Sequence, residues 1–125
     1  MNAIQRAKSA YGTTRETIRT PKSIEFEAFA RISHSLKSAE EKGKKGFNSL
    51  VQALDTNRKL WTILAADVAE EKNPLPQELK ARIFYLAEFT NLHTRKVLKR
   101  EASAQVLIEI NMSIMRGLKA GAANQ

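Results

Sequence analysis

The sequence predicts an all-α protein: a small helical bundle of about four main helices, preceded by a short or mobile amino-terminal helix. Three observations carry this. Apolar residues recur at three- and four-residue spacing through most of the chain, and nowhere does the period-two alternation of a half-buried strand appear. Glycine and proline are scarce, at 5 and 3 of 125 residues. Leucine, alanine, lysine and glutamate, which favour helix, are plentiful.

Residues 1–19 read as a basic amino-terminal arm. Ile4, Ala7 and Tyr11 can share one short helical face before Gly12-Thr13-Thr14 interrupts it. A single helical domain follows over 20–120. Thr20-Pro21 has the form of an N-cap followed by proline at the first helical position. From there Ile24, Ala28, Phe29, Ile32 and Leu36 keep helical spacing until Gly43 and its lysines. A second helix opens at Phe47, with Leu50, Val51, Leu54, Trp61, Leu64, Ala65 and Val68 on one face. Asn57 and Arg58 are expected inside the same arc, and Asn73-Pro74 is expected to end the helix. A third helix carries Leu79, Ile83, Leu86, Thr90, His93 and Val97 on its main face. Phe84, Tyr85, Phe89 and Leu92 lie on its other sides, so it is apolar nearly all round. The fourth helix runs from about Ser103, a candidate N-cap, to Leu118, and residues 121–125 are expected to fray. Within its apolar face of Leu107, Ile108, Ile110, Ile114 and Met115 sits Asn111, about 40° from Leu107 at 100° per residue. Short connections make neighbouring helices antiparallel.

The formal net charge is +8, compatible with nucleic acid, an anionic membrane or an acidic protein partner. The charge is dispersed: residues 1–45 hold ten basic and five acidic residues, and 46–125 hold eleven and eight. No apolar run approaches the roughly 18 residues that span a bilayer. The absence of cysteine excludes disulfides and thiolate metal sites. A cytoplasmic location is the simplest reading.

Chemistry is sparse. His34 and His93 lack a ligand-spaced partner for a metal, and His93 reads as a satisfied core histidine. Phosphate loops and nucleophile elbows are missing, so neither enzymatic activity nor a cofactor or small-molecule substrate is expected. Arg95, Lys96, Lys99 and Arg100 form a possible basic patch. Complementation of a helix terminus explains them better than RNA contact, because stacking aromatics do not accompany them. Asn57, Arg58 and Asn111 are more informative. Polar groups within apolar faces must be paired, and Arg58 is expected to find a partner on another helix. Trp61 is expected to be buried. Phe84, Tyr85, Phe89, Leu92 and Met112 are the candidate partner-binding residues, since an apolar patch left after bundle packing marks an interaction site.

Several residues also match a known pattern. Asn57-Arg58 with Leu60-Trp61, Asp67, Asn73 with Leu75-Pro76, Leu86-Ala87 with Phe89, His93-Thr94, and Leu107-Ile108-Glu109-Ile110-Asn111 with Met115-Arg116-Gly117-Leu118 together resemble the FlaF family of flagellar biosynthesis proteins of alphaproteobacteria. The resemblance covers residues 47–118. It implies a small cytoplasmic helical protein that binds flagellin in a chaperone-like manner and supports its synthesis and export. The alternative it implies is a post-transcriptional regulator of flagellin expression, acting on RNA or through a second factor, FlbT. On this reading Asn57, Arg58, Trp61, Asp67, His93, Asn111 and Arg116 are family-motif residues with structural roles.

Overall fold

The computed structural model describes residues 21–123, with side chains over 26–117. The amino-terminal arm with Ile4, Ala7 and Tyr11, the Thr20 cap, and residues 124–125 lie outside the described residues. Four helices are present among them: α1 Pro21–Glu41, α2 Phe47–Val68, α3 Gln77–Leu98 and α4 Gln105–Ala123, with a 3-10 turn Gly43–Gly46 between α1 and α2. No strand occurs among the described residues, and none of their helices is long and apolar enough to cross a membrane.

The helices stand at the corners of a square. α1 packs along α2 on one side and α4 on the other, α3 packs against α2, and α3 and α4 meet only lightly. The diagonal pairs, α1 with α3 and α2 with α4, make no close backbone approach. Each helix directs one face to the shared core. Phe29, Ile32 and Leu36 come from α1, Leu54, Trp61 and Leu64 from α2, Ile83 and Val97 from α3, and Leu107 and Ile114 from α4, all 5% exposed or less. These positions follow the predicted apolar spacing, so hydrophobic burial alone selects which face turns inward.

The connections have identifiable causes. Gly43 sits at φ +61° just past α1, the left-handed conformation that ends helices and favours glycine. At Gly46 a Cβ would lie 2.5 Å from the Ala39 carbonyl oxygen, so the 3-10 turn can pack there only without a side chain. α2 ends at Val68, five residues before the expected stop at Asn73. Asn73 folds back instead: its Nδ2 donates to Asp67 Oδ2 (2.9 Å) and its Oδ1 accepts the Leu75 N–H (3.0 Å), an Asx turn that leads into α3. At the start of α4 the Ser103 hydroxyl accepts the Gln105 N–H (3.2 Å), as expected of a cap, and Glu40 of α1 accepts the Ala104 N–H (3.2 Å). α4 continues to Ala123, past the predicted end at Leu118 and through part of the segment expected to fray. The alanine-rich sequence there has high helix propensity.

Candidate functional site

A polar chain crosses the core on the α2–α4 diagonal. Trp61 Nε1 donates to Asn111 Oδ1 (2.9 Å), and Asn111 Nδ2 donates to Asn57 Oδ1 (2.8 Å). Asn57 and Asn111 are fully buried and Trp61 is 1% exposed, with Phe29 edge-on to the indole at 5.3 Å. The carboxamide in the middle of α4's apolar face thus serves the indole and the facing carboxamide. The chain ends unbalanced, for Asn57 Nδ2 has no partner; Ser33 Oγ and Thr90 Oγ1 are likewise buried without one.

Arg58 departs from expectation. It is exposed and pairs with Asp55 of its own helix (2.9 Å), which also binds Lys59 (3.0 Å). One residue beyond Asn57 is about 100° around the helix, enough to carry the guanidinium out of the core into water. The hydrogen bonds from Lys59 and then Arg58 hold the Asp55 carboxyl below its usual range. Asp67, 4% exposed, shifts the other way. Burial raises it, with Glu70 adding to the effect and the Asn73 hydrogen bond opposing it. Arg116 is exposed on α4.

The lightly packed α3–α4 seam is set in antiparallel register by two polar contacts. Arg82 Nη2 donates to Ser113 Oγ (3.4 Å), and His93 Nε2 donates to the Ser103 carbonyl (3.0 Å). His93 is therefore a half-buried seam residue, stacked on Phe89 at 5.6 Å, rather than a core histidine. Its neighbours on that face are too few to bury it. This register places Phe89 level with Val106 and Leu86 level with Ile110.

The five partner-binding candidates do not share one face. Tyr85 and Leu92 are the most exposed, at 66% and 55%, and with half-buried Phe89 they form a stripe on α3 beside the seam. Phe84 (44%) lies about 100° around α3 from Tyr85, toward the α2 side. Met112 (45%) is about 100° from seam-facing Ser113 and points away from the seam. Val106, 36% exposed, stands level with Phe89 across the seam in this register. Sequence spacing could rank these residues by distance from each helix's main face. Only the register of α3 against α4 shows which of them meet.

At the carboxyl-terminal end of α3 lies the predicted basic patch. Arg95, Lys96, Lys99 and Arg100 are all exposed. The Arg100 N–H donates to the Val97 carbonyl and the Glu101 N–H to the Lys96 carbonyl, both at 2.9 Å, the hydrogen-bond pair of a Schellman motif. The motif requires a left-handed residue, and Arg100 supplies it at φ +63°. The Arg100 guanidinium lies 4.3 Å above the Phe47 ring, tying the end of α3 to the start of α2. Nothing in the sequence marks this, since glycine is the usual signal.

The family model described as flagellar protein FlaF matches residues 7–118. No curated protein and no solved structure matches the chain. The match spans all four helices up to Leu118, and with them the Asn57–Asn111–Trp61 chain and both ends of the α3–α4 seam: this protein belongs to the FlaF family of flagellar proteins.

Proposed function

We propose that the protein binds flagellin in the cytoplasm in a chaperone-like manner, without catalysis, and so supports flagellin synthesis and export. One observation carries the reading: Tyr85 and Leu92 of α3 and Val106 of α4 lie exposed, with half-buried Phe89 among them, on the two neighbouring helices that pack most lightly. Large apolar side chains left in water at a helix–helix seam suit an amphipathic guest helix, which lays its own apolar face into such a groove. Family membership supplies the flagellar context. Burying two large side chains under a guest helix contributes on the order of 1–2 kcal/mol each.

The test is a Tyr85→Ser, Leu92→Ser double variant, checked for helicity and titrated against labelled monomeric flagellin by fluorescence anisotropy. Both residues are exposed, so the fold should survive. Affinity should fall at least about tenfold, while Met112→Ser, on the far flank of α4, should bind as the parent does. Undiminished binding by the double variant places the flagellin site elsewhere; no binding by the parent protein refutes the proposed function.

A further inference from the structure

The basic end of the bundle gathers positive charge around an apolar depression, a feature independent of the flagellin reading. Lys42, Lys44 and Lys45 at the α1–α2 connection stand with the four basic residues that end α3, against Glu40, Glu41 and Glu101. The Arg100–Phe47 contact shows that the two basic segments converge. Among the described residues none of these lysines and arginines is ion-paired. Between them lies a depression of about 470 Å³. Its floor is apolar, with Leu50, Val97 and Ala102 beside the Arg100-covered ring of Phe47, and Lys44 and Arg100 stand on its rim. Two carboxylates also line it, Glu101 and Glu40, the latter engaged by the Ala104 N–H.

Arg100 is set up to bind an anion. Its guanidinium carbon lies 4.3 Å over the Phe47 ring, and among the described residues its N–H groups donate to no protein acceptor. A guanidinium held in place with its N–H groups unused is suited to bidentate carboxylate or phosphate recognition. The same left-handed backbone is filled by glycine at position 43 and by arginine at position 100, so the backbone conformation does not itself call for this side chain. Strained residues of this kind cluster at functional sites.

We propose that this end of the bundle docks an acidic peptide segment of a partner protein, one that places an apolar side chain in the depression and carboxylates on Arg100 and Lys44. The apolar floor favours a peptide over RNA. The exposed face of Phe47 is already covered by Arg100, so no aromatic remains there on which a base could stack.

The full-length protein is titrated with a fluorescein-labelled acidic peptide containing a central leucine, with the same peptide carrying serine for leucine, and with a labelled mixed-sequence single-stranded RNA. The leucine peptide should bind, weaken with salt, and bind several-fold more tightly than the serine peptide. A Lys44→Ser, Arg100→Gly variant removes two charges while suiting the left-handed backbone, and should lose about tenfold or more in affinity. Ala102→Trp fills the depression and should lose binding with the charges intact. Tyr85→Ser, Leu92→Ser should bind the peptide unchanged, which keeps this surface distinct from the flagellin stripe. Preferential RNA binding abolished by the charge variant, peptide binding indifferent to both the charge variant and Ala102→Trp, or no peptide binding at all would each overturn the proposal.

Discussion

Replacing Asn111 with alanine should unpair two buried groups at once. Trp61 Nε1 loses its acceptor and Asn57 Oδ1 loses its donor, bonds of 2.9 and 2.8 Å in a fully buried site. At about 1–3 kcal/mol for each orphaned group, the cost is about 2–6 kcal/mol. Asn57→Ala behaves differently. It orphans Asn111 Nδ2 but removes Asn57 Nδ2, which already lacks a partner. The number of unpaired atoms is unchanged, and the remaining cost is lost packing, on the order of 1 kcal/mol. In the double variant only Trp61 Nε1 is left unpaired, so adding Asn57→Ala to Asn111→Ala should restore stability rather than reduce it further. Urea unfolding of the four proteins, followed by circular dichroism at constant m, reads this directly. Additive losses, or an Asn57→Ala protein as destabilised as Asn111→Ala, would refute the assignment of bonds along the chain.

Two other predictions concern the helix ends. The Asp67 carboxyl is held above its usual range by burial and Glu70, so its contribution to stability is complete below the ordinary carboxylate pKa and is lost as pH rises through the raised value. Asp67→Asn should therefore be stabilising at neutral pH and without effect at about pH 3; an urea midpoint that falls at neutral pH would show the ionised carboxylate's bond with Asn73 outweighing its burial. At the Schellman turn, Arg100→Gly should relieve about 1 kcal/mol of left-handed strain and lose about 0.5–1 kcal/mol of cation–π attraction, leaving stability nearly unchanged. Gly43→Ala, at the same backbone conformation but with nothing to offset it, should cost about 1 kcal/mol. Equal melting temperatures for the two variants would contradict that difference.

Much of this architecture is written in the spacing of apolar residues. Leu54, Asn57, Trp61 and Leu64 recur at three and four residues, so the inward face of α2 and the buried state of Asn57 were both legible. Arg58 lies in water despite its place beside Asn57 because a helix arc has an edge, and a single residue steps over it. Asn73-Pro74 is a strong local stop and marks the end of α2 five residues beyond its true end at Val68. The pull of Asp67 on Asn73 is a contact between side chains six residues apart, outside helical spacing. Arg100 was invisible for a related reason: the left-handed residue is imposed by the Schellman hydrogen bonds and the Phe47 stack, whereas sequence reading looks for glycine. The exposed residues of α3 and α4 were individually recognisable, yet their division among three flanks depends on how one helix is rotated against another. No local pattern encodes that rotation.

The placement of α4 against α1 has a consequence for how the chain acquires its structure. Glu40 meets Ala104 across 64 residues, and α1 presents its face to both α2 and α4. The α1–α2 and α2–α3 hairpins close short loops and can form while the chain is still being synthesised, whereas α4 can dock only after nearly everything else exists. Until then Trp61 Nε1 and Asn57 Oδ1 have neither of their partners, and the core-facing apolar side chains of α1 remain half covered. Completion of the bundle is thus tied to the emergence of α4 from the ribosome, and a chain truncated before Asn111 lacks the side chain that completes the polar diagonal.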